Sequence, residues 1–265
     1  MKILLTGHNG YIGSRLLKSL NVHANDCDIY VWDKNFGDLF DTERFANALE
    51  LIKPDIAILC AWQSTKPLDY EFDNRHYNWP CILELQVKLL KANDVFPIIF
   101  GSVADAFASV KDAYTQSKIE LRRRLQESID CMEITYLRPH YVLDEIEERP
   151  RIVKGIRACI EEGSDFFPNN PNGYADYIHI NDVISAIHLV VFHKIAGIVN
   201  ISSGIERNAF SIAQVEYFRS GKPYKYMHQA KSRGSELSRP HPSLISLNWW
   251  PETTSQYFSL PTETS

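Results

Sequence analysis

The sequence has few cysteines and places none of them in a short pair. Cys27, Cys60, Cys81, Cys131 and Cys159 are the five among 265 residues, and no two stand in a Cys-x-x-Cys or other zinc-ligand spacing. A disulfide-stapled scaffold and a metal finger are therefore excluded, no metal site is expected, and a reducing compartment fits best. Long apolar runs are missing too, so no segment is expected to cross a bilayer. Met1-Lys2-Ile3-Leu4-Leu5 leads straight into a glycine motif, not into a secretory leader. A cytoplasmic protein without a membrane partner is the expectation. Nor is there a basic excess. Lys and Arg total 28 against 33 Asp and Glu, and a net charge of −5 argues against nucleic acid as a partner. The one dense basic run, Arg122-Arg123-Arg124, is accounted for by a solvated helix face. With 45% hydrophobic residues, a chain of this length buries a core without staples.

Short apolar runs alternate with helical patterns through the first half. Strands are predicted at 2–6, 28–33, 55–60, 97–101 and 133–137. Helices are predicted at 11–20, 42–52, 77–92 and 112–129, where apolar residues recur at helical spacing. This rhythm predicts an α/β fold with a Rossmann-type, doubly wound parallel sheet covered on both faces. After Arg138-Pro139 the rhythm breaks, and segments become shorter and richer in Pro and Asn. Residues 1–138 are read as a dinucleotide-binding core and 139–265 mainly as a smaller substrate lobe. Segments near 175–202 (Ala175–Ile180 and Gly197–Ser202) are expected to return to the core.

Gly7, Gly10 and Gly13 fall between the first strand and the first helix, in Thr6-Gly7-His8-Asn9-Gly10-Tyr11-Ile12-Gly13. Glycines at this spacing allow a tight turn, let backbone approach a pyrophosphate, and pack helix against strand. The free N–H groups of Asn9, Tyr11, Ile12 and Gly13 then face the phosphates at the positive helix end. Asp33 follows Gly13 by twenty residues and ends the second strand. A carboxylate there accepts from both ribose hydroxyls and repels a 2′-phosphate, which favours NAD. The neighbouring Lys34 leaves NADP possible.

Tyr114 and Lys118 are four residues apart on a predicted helix, so their side chains leave one face. A free phenol titrates near ~10, and a nearby ammonium favours its ionised form. The pair suits proton transfer to or from a carbinol or carbonyl oxygen in step with hydride. A surface pair at the same spacing is the plain alternative.

These motifs together resemble the extended short-chain dehydrogenase/reductase family, also called the NAD-dependent epimerase/dehydratase family. The resemblance runs over residues 1 to about 205. Its other carriers are Gly37-Asp38-Leu39-Phe40-Asp41, Lys53-Pro54-Asp55, Tyr114-Thr115-Gln116-Ser117-Lys118, Leu137-Arg138-Pro139, Asp176-Tyr177-Ile178-His179-Ile180-Asn181-Asp182-Val183 and Asn200-Ile201-Ser202-Ser203-Gly204. It implies that Asp38 and Leu39 meet the adenine ring. It places Ala61 and Trp62 beside the pyrophosphate and nicotinamide ribose, Lys118 on that ribose and His140 near the nicotinamide. Gln63, Ser64 and Asn78 take positions where the family meets substrate or sets its tyrosine, and Arg207 could pair with a diphosphate. Trp62 departs from the small residue usual at its place, so it would narrow the cleft or stack on something in it.

The family's third catalytic group is a hydroxyl just after the strand that precedes the tyrosine helix. One register puts Val103 there, which has none; a shift of one residue puts Ser102 there, and both registers stay open. Ala104-Asp105 stands where the family's dehydratases carry an Asp-Glu pair, so dehydration is not expected. The loop from Phe107 to Tyr114 is short, which implies an open site. The reading is an NAD(P)-dependent epimerase or 4-keto reductase of a nucleotide-activated sugar, with a homodimer through the 77–92 and 112–129 helices as the assembly. The alternatives are a catalytically weak dinucleotide-binding regulator or scaffold, and a reductase of a non-nucleotide carbonyl.

Overall fold

Lys2–Thr6 forms β1, and the residues of this strand after Lys2 are fully buried. A strand covered on both faces reads as an unbroken apolar run and fits a parallel sheet. The computed structural model describes residues 1–22, 27–62, 70–146 and 151–259. Among them α1 (Tyr11–Val22), β2 (Asp28–Val31), α2 (Thr42–Ile52), β3 (Ile56–Leu59), α3 (Trp79–Ala92), β4 (Phe96–Phe100), α4 (Ala113–Asp130) and β5 (Thr135–Pro139) follow in turn. Next come β6 (Tyr141–Leu143), α5 (Ile152–Glu162), β7 (Tyr174–His179), α6 (Ile180–His193), β8 (Gly197–Ile201), β9 (Ile205–Asn208), α7 (Ala209–Arg219), β10 (Ser232–Gly234), α8 (Pro242–Ser246) and α9 (Glu252–Phe258).

The main sheet has the order β2-β1-β3-β4-β5-β8, and the pairs from β2 through to β5 run parallel. This is the Rossmann-type α/β fold. A second sheet has the order β10-β9-β7-β6. Chain contacts divide the protein into two units, Met1–Arg138 with Ala186–Val199, and Pro139–Ser185 with Asn200–Ser265.

Local chemistry sets the helix ends of the first unit. Asp41 accepts from the N–H groups of Glu43 and Arg44 and starts α2. Lys53 ends it in a left-handed conformation, just before Pro54. Asp112 accepts from Thr115 N at 2.7 Å and starts α4. Phe45, Leu49, Leu83, Val87, Leu121, Leu125 and Ile129 come off α2, α3 and α4 into one core with β1, β3 and β4. The helix expected from residue 77 begins at Trp79, because Asn74–Asn78 forms a 3-10 turn capped by Asp73. The strand expected at 133–137 lies at 135–139, since Met132 ends the α4 turn with φ +56°.

Of the two segments expected to return to the main sheet, only Gly197–Ile201 does so, as β8. Ala175–Ile180 is corrected. Tyr174–His179 is β7, parallel to β6 and antiparallel to β9 in the second sheet. Both its edges are taken there, and an apolar strand pattern does not say which sheet receives it.

In the second unit, Leu143, Val153, Ile156, Phe210, Ile212 and Tyr217 form a core of their own. Buried Glu216 accepts from Arg157 and from the Tyr257 hydroxyl, both at 2.6 Å. The Asp182 carboxylate accepts from Thr253 N at 3.1 Å, and from Thr254 N and Oγ1 at 2.6 Å, which fastens the start of α9.

Candidate active site

Strand order locates the site before any side chain is considered. From β1 the chain goes one way to β2 and the other way to β3, so the C-terminal ends of β1 and β3 flank a crevice at the switch point. Gly7 follows β1 there with φ +72°. A Cβ on Gly7 would lie 2.6 Å from Ala61 N, and one on Gly13 would lie 2.1 Å from Gly7 O. Gly10 N donates to Gly7 O at 2.9 Å and closes the turn, and Ala61 N donates to Thr6 Oγ1 at 3.2 Å. Only glycine fits the first and last of these places, and α1 starts directly behind them.

Beside the turn is a cavity of about 540 Å³ lined by His8, Asn9, Trp32, Asp33, Lys34, Gly37, Asp38 and Leu39. Four residues expected at the adenosine end, Asp33, Lys34, Asp38 and Leu39, thus line one cavity, together with Asn9, expected at the pyrophosphate. Asp33 is set by Asn35, whose backbone N donates at 2.8 Å and side-chain amide at 3.0 Å. Gln86, fully buried on α3, donates to Leu39 O at 2.8 Å and fixes that loop. Trp32 Nε1 donates to Gly37 O and holds its other end.

Tyr114 and Lys118 lie on the first turns of α4, and here the structure adds most. Lys118 is 3% exposed. Its Nζ donates to Phe100 O at 2.9 Å, 3.3 Å from the centre of the Trp62 ring and 5.7 Å from that of Tyr114. Burial pulls the amine down from 10.5 to about 7, opposed by the fields of Cys60 and Asp105. The Cys60 thiol is pushed up to about 12 by burial, against Lys118 and a bond from Gly13 N–H.

Trp62 is partly buried among aromatic rings. It stacks on Trp79 at 5.6 Å and His76 at 6.2 Å, and meets Tyr114 edge-on at 6.4 Å. Its Nε1 donates to His76 Nδ1 at 2.9 Å, and His76 Nε2 is 2.5 Å from Tyr70 O. Tyr70 and His76 also pack on the Tyr114 ring, at 5.3 and 5.5 Å. Burial holds the His76 imidazole below its usual value.

Ser102 ends the loop after β4 and accepts from Ala104 N at 3.2 Å, capping a 3-10 turn over Val103–Ala106. Val103 is buried and Ser102 only partly so. Asp105 is buried against Arg138, with Nη2 to Oδ1 at 2.9 Å, and the Tyr136 hydroxyl is 3.4 Å from Lys118 O. Desolvation raises the Asp105 carboxyl in spite of Arg138, and burial together with Asp105 drives the Tyr136 hydroxyl well above the ordinary phenol range.

The other expected residues are more scattered. Asn78 is exposed at the start of α3 and makes no capping bond there. Gln63 and Ser64 lie outside the described residues. Arg207 and His140 belong to the second unit. Arg207 lies 3.9 Å over the Phe258 ring and donates to Ile205 O at 3.2 Å. His140 is buried, and its N donates to Ile201 O at 3.1 Å. Sequence reasoning missed Tyr70, His76 and the contact of Trp62 with Lys118. The available signal was Trp62 itself, a residue that needs a partner for its N–H when it is buried.

A parallel sheet with a glycine turn at its switch point defines a Rossmann-type protein. More narrowly, the chain belongs to the NAD dependent epimerase/dehydratase family, whose model matches residues 3–202. No curated protein matches the sequence. Among solved structures, the chain is similar to UDP-glucose 4-epimerase of Thermus thermophilus in complex with NAD. Identity is 17%, coverage is 95% of this chain and 94% of that one, and the TM-score is 0.70. It is similar also to dTDP-4-dehydrorhamnose reductase of Bacillus anthracis str. Ames in complex with NADP (14% identity, 97% of each chain, TM-score 0.72). The third is dTDP-glucose 4,6-dehydratase of the same organism with NAD (14% identity, 95% and 92% coverage, TM-score 0.70). No helix among the described residues is long and apolar enough to cross a membrane.

Proposed function

We propose that this chain is an NAD(P)-dependent enzyme acting on a nucleotide-activated sugar, as an epimerase or a 4-keto reductase. The observation that supports this reading is the buried Lys118 amine, 2.9 Å from Phe100 O and 5.7 Å from the centre of the Tyr114 ring, in the same unit as the glycine turn. The solved relatives are named for UDP- and dTDP-sugar chemistry.

The residues fit the cofactor. A Cβ would fill the cradle at Gly7 and Gly13, and the cavity at Asp33 has the size of a nucleoside site. The Asn9, Tyr11, Ile12 and Gly13 backbone would meet the pyrophosphate, Asp33 the adenosine ribose, and Asp38 and Leu39 the adenine. Ala61, Trp62 and Lys118 would flank the second ribose, with His140 near the nicotinamide. A nicotinamide supplies a two-electron hydride carrier at that end.

This chain's own residues would manage the proton. Tyr114 Oη gives a proton to a carbonyl oxygen, or takes one from a hydroxyl, and a charged Lys118 favours its ionised form. Ser102, on the partly exposed side of its turn, would donate to the same oxygen. Asp105 is committed to Arg138, so neither it nor Ala104 offers the acid–base pair that water loss needs. Gln63, Ser64, Asn78 and Arg207 would contribute to the substrate side.

A second reading, a dinucleotide-binding regulator with weak chemistry, is favoured by one observation: Trp62 lies directly on the Lys118 amine. Tyr114→Phe separates the two. It keeps the ring packing and removes the proton, so turnover of a UDP- or dTDP-sugar should fall at least about a hundredfold with cofactor affinity unchanged. Near-full activity in Tyr114→Phe refutes the mechanism, and no turnover by the unaltered protein puts the regulator first.

A further inference from the structure

Trp62 and His76 are joined in one way only. An indole N–H is a donor and never an acceptor, so His76 Nδ1, 2.9 Å away, carries no proton. The ring proton is then on Nε2, which donates to Tyr70 O at 2.5 Å. His76 is fully buried, on the 3-10 turn Asn74–Asn78 that Asp73 caps. The ring is thus held neutral by two bonds, and a second proton would set N–H against N–H at Trp62.

The indole fixed in this way occupies a Lys118 donor. An ammonium has three N–H groups. One goes to Phe100 O and another faces the Trp62 ring. What is left cannot bond both hydroxyls of a sugar diol. A ligand that needs two donors from Lys118 must first displace the indole.

We propose that His76 is a positioning residue: its neutral ring holds Trp62 as a cover over the Lys118 amine, and loss or protonation of that ring frees the cover. This inference rests on the proposed function for its biological sense, since the cover regulates access of a sugar diol to the Lys118 end of that site. Its geometry does not depend on catalysis. Among the described residues, the charged groups acting on His76 are the carboxylates of Asp73 and Asp112, which favour its proton, and Lys118, which opposes it. The rings of Trp62, Tyr70 and Tyr114 pack on it, and burial outweighs the Tyr70 carbonyl and the two carboxylates. The cover is therefore shut above about pH 6.5, the ordinary histidine value, and weakens as pH falls below it.

Two measurements on the protein without cofactor test this. The first is competitive labelling of lysines with acetic anhydride at pH 10, where much of the amine is unprotonated whether covered or not, followed by peptide mass mapping. Lys118 should label at least about tenfold faster in His76→Phe and Trp62→Leu, because the indole no longer shields the amine from the reagent, a change of about 1.4 kcal/mol in access. His76→Asn, which keeps an acceptor for the indole, should restore slow labelling. The second is the fluorescence difference between wild type and Trp62→Phe, followed against pH. It should titrate below pH 6.5 in a His76 background and stay flat in a His76→Asn background. Unchanged Lys118 labelling in folded His76→Phe and Trp62→Leu overturns the proposal. If those variants fail to fold, a titration that persists with Asn at 76, or is absent with His, overturns it instead. If both measurements come out as expected but NAD(H) does not bind, the cover stands and the proposed function fails.

Discussion

Gly13 and Gly155 both lie inside helices, α1 and α5, and alanine at each should act in opposite directions. A Cβ at 13 would meet Gly7 O at 2.1 Å, Gly7 C at 2.9 Å and His8 Cα at 3.2 Å. All three are backbone atoms, so no change of rotamer relieves the contact. A Cβ at 155 meets nothing within 4 Å. Helix propensity and the unfolded chain's lost freedom favour alanine at both places by about 0.5–1 kcal/mol. At 155 that gain is unopposed, so Tm should rise by about 1–4 °C for a chain of this size. At 13 it meets an overpacking cost of about 1–3 kcal/mol, and contact with rigid backbone belongs at the upper end. Gly13→Ala should therefore melt several degrees lower. It should also lose NAD(H) binding, because the Gly7 turn must shift to admit the methyl group. Thermal melts with urea midpoints at constant m-value give the stabilities, and calorimetry gives the binding. A Gly13→Ala protein as stable as wild type that still binds NAD(H) would refute the account of the turn. A Gly155→Ala protein that is clearly destabilised would refute the open space at α5.

Other outcomes follow from the same structure. Asp33, held by Asn35 at the wall of the adenosine cavity, should make NAD(H) bind at least about tenfold more tightly than NADP(H), or about 1.4 kcal/mol; equal affinities by calorimetry would mean that Lys34 overrides it. The Lys118 amine falls from 10.5 to about 7 on folding, so across that window the unfolded chain holds the extra proton and stability rises with pH. Urea denaturation at pH 7 and 9 should show a larger gain for wild type than for Lys118→Met, and equal gains would sink the idea. A two-fold pairing of α3 and α4 is the proposed assembly. Arg123 and Arg124 are no obstacle to it, since Glu120 and Glu84 neutralise them. A monomer at micromolar concentration in sedimentation would dismiss it.

Much of the first unit was legible because local patterns and tertiary context agree there. The strand, glycine turn and helix over 2–22 follow from spacing alone, and four residues on one helix place Tyr114 and Lys118 on a shared face. What spacing cannot show is which groups meet across the chain. His76 is fourteen residues beyond Trp62 in a 3-10 turn, a structure too short to leave a periodic trace. The destination of β7 was misjudged for a related reason, since strand propensity marks a strand but not its neighbours. Cys60 was legible as a small apolar residue, and its desolvated thiol agrees; its nearness to Lys118 comes from the sheet order.

The position of β8 bears on how the protein is made. The first unit consists of residues 1–138 and 186–199, so its sheet is not a contiguous piece of chain. Gly197 N donates to Ile134 O and Thr135 Oγ1 to Ile195 O, which places the late segment along the outer side of β5. Until it arrives, β5, buried along its whole length in the finished protein, is an unpaired edge. On a ribosome moving at about 5–20 residues per second, that edge waits several seconds while 139–185 is made. The nascent chain is therefore most exposed to wrong strand pairing in that interval. A chaperone that shields apolar strands would have its clearest task there, before the last strand of the sheet leaves the exit tunnel.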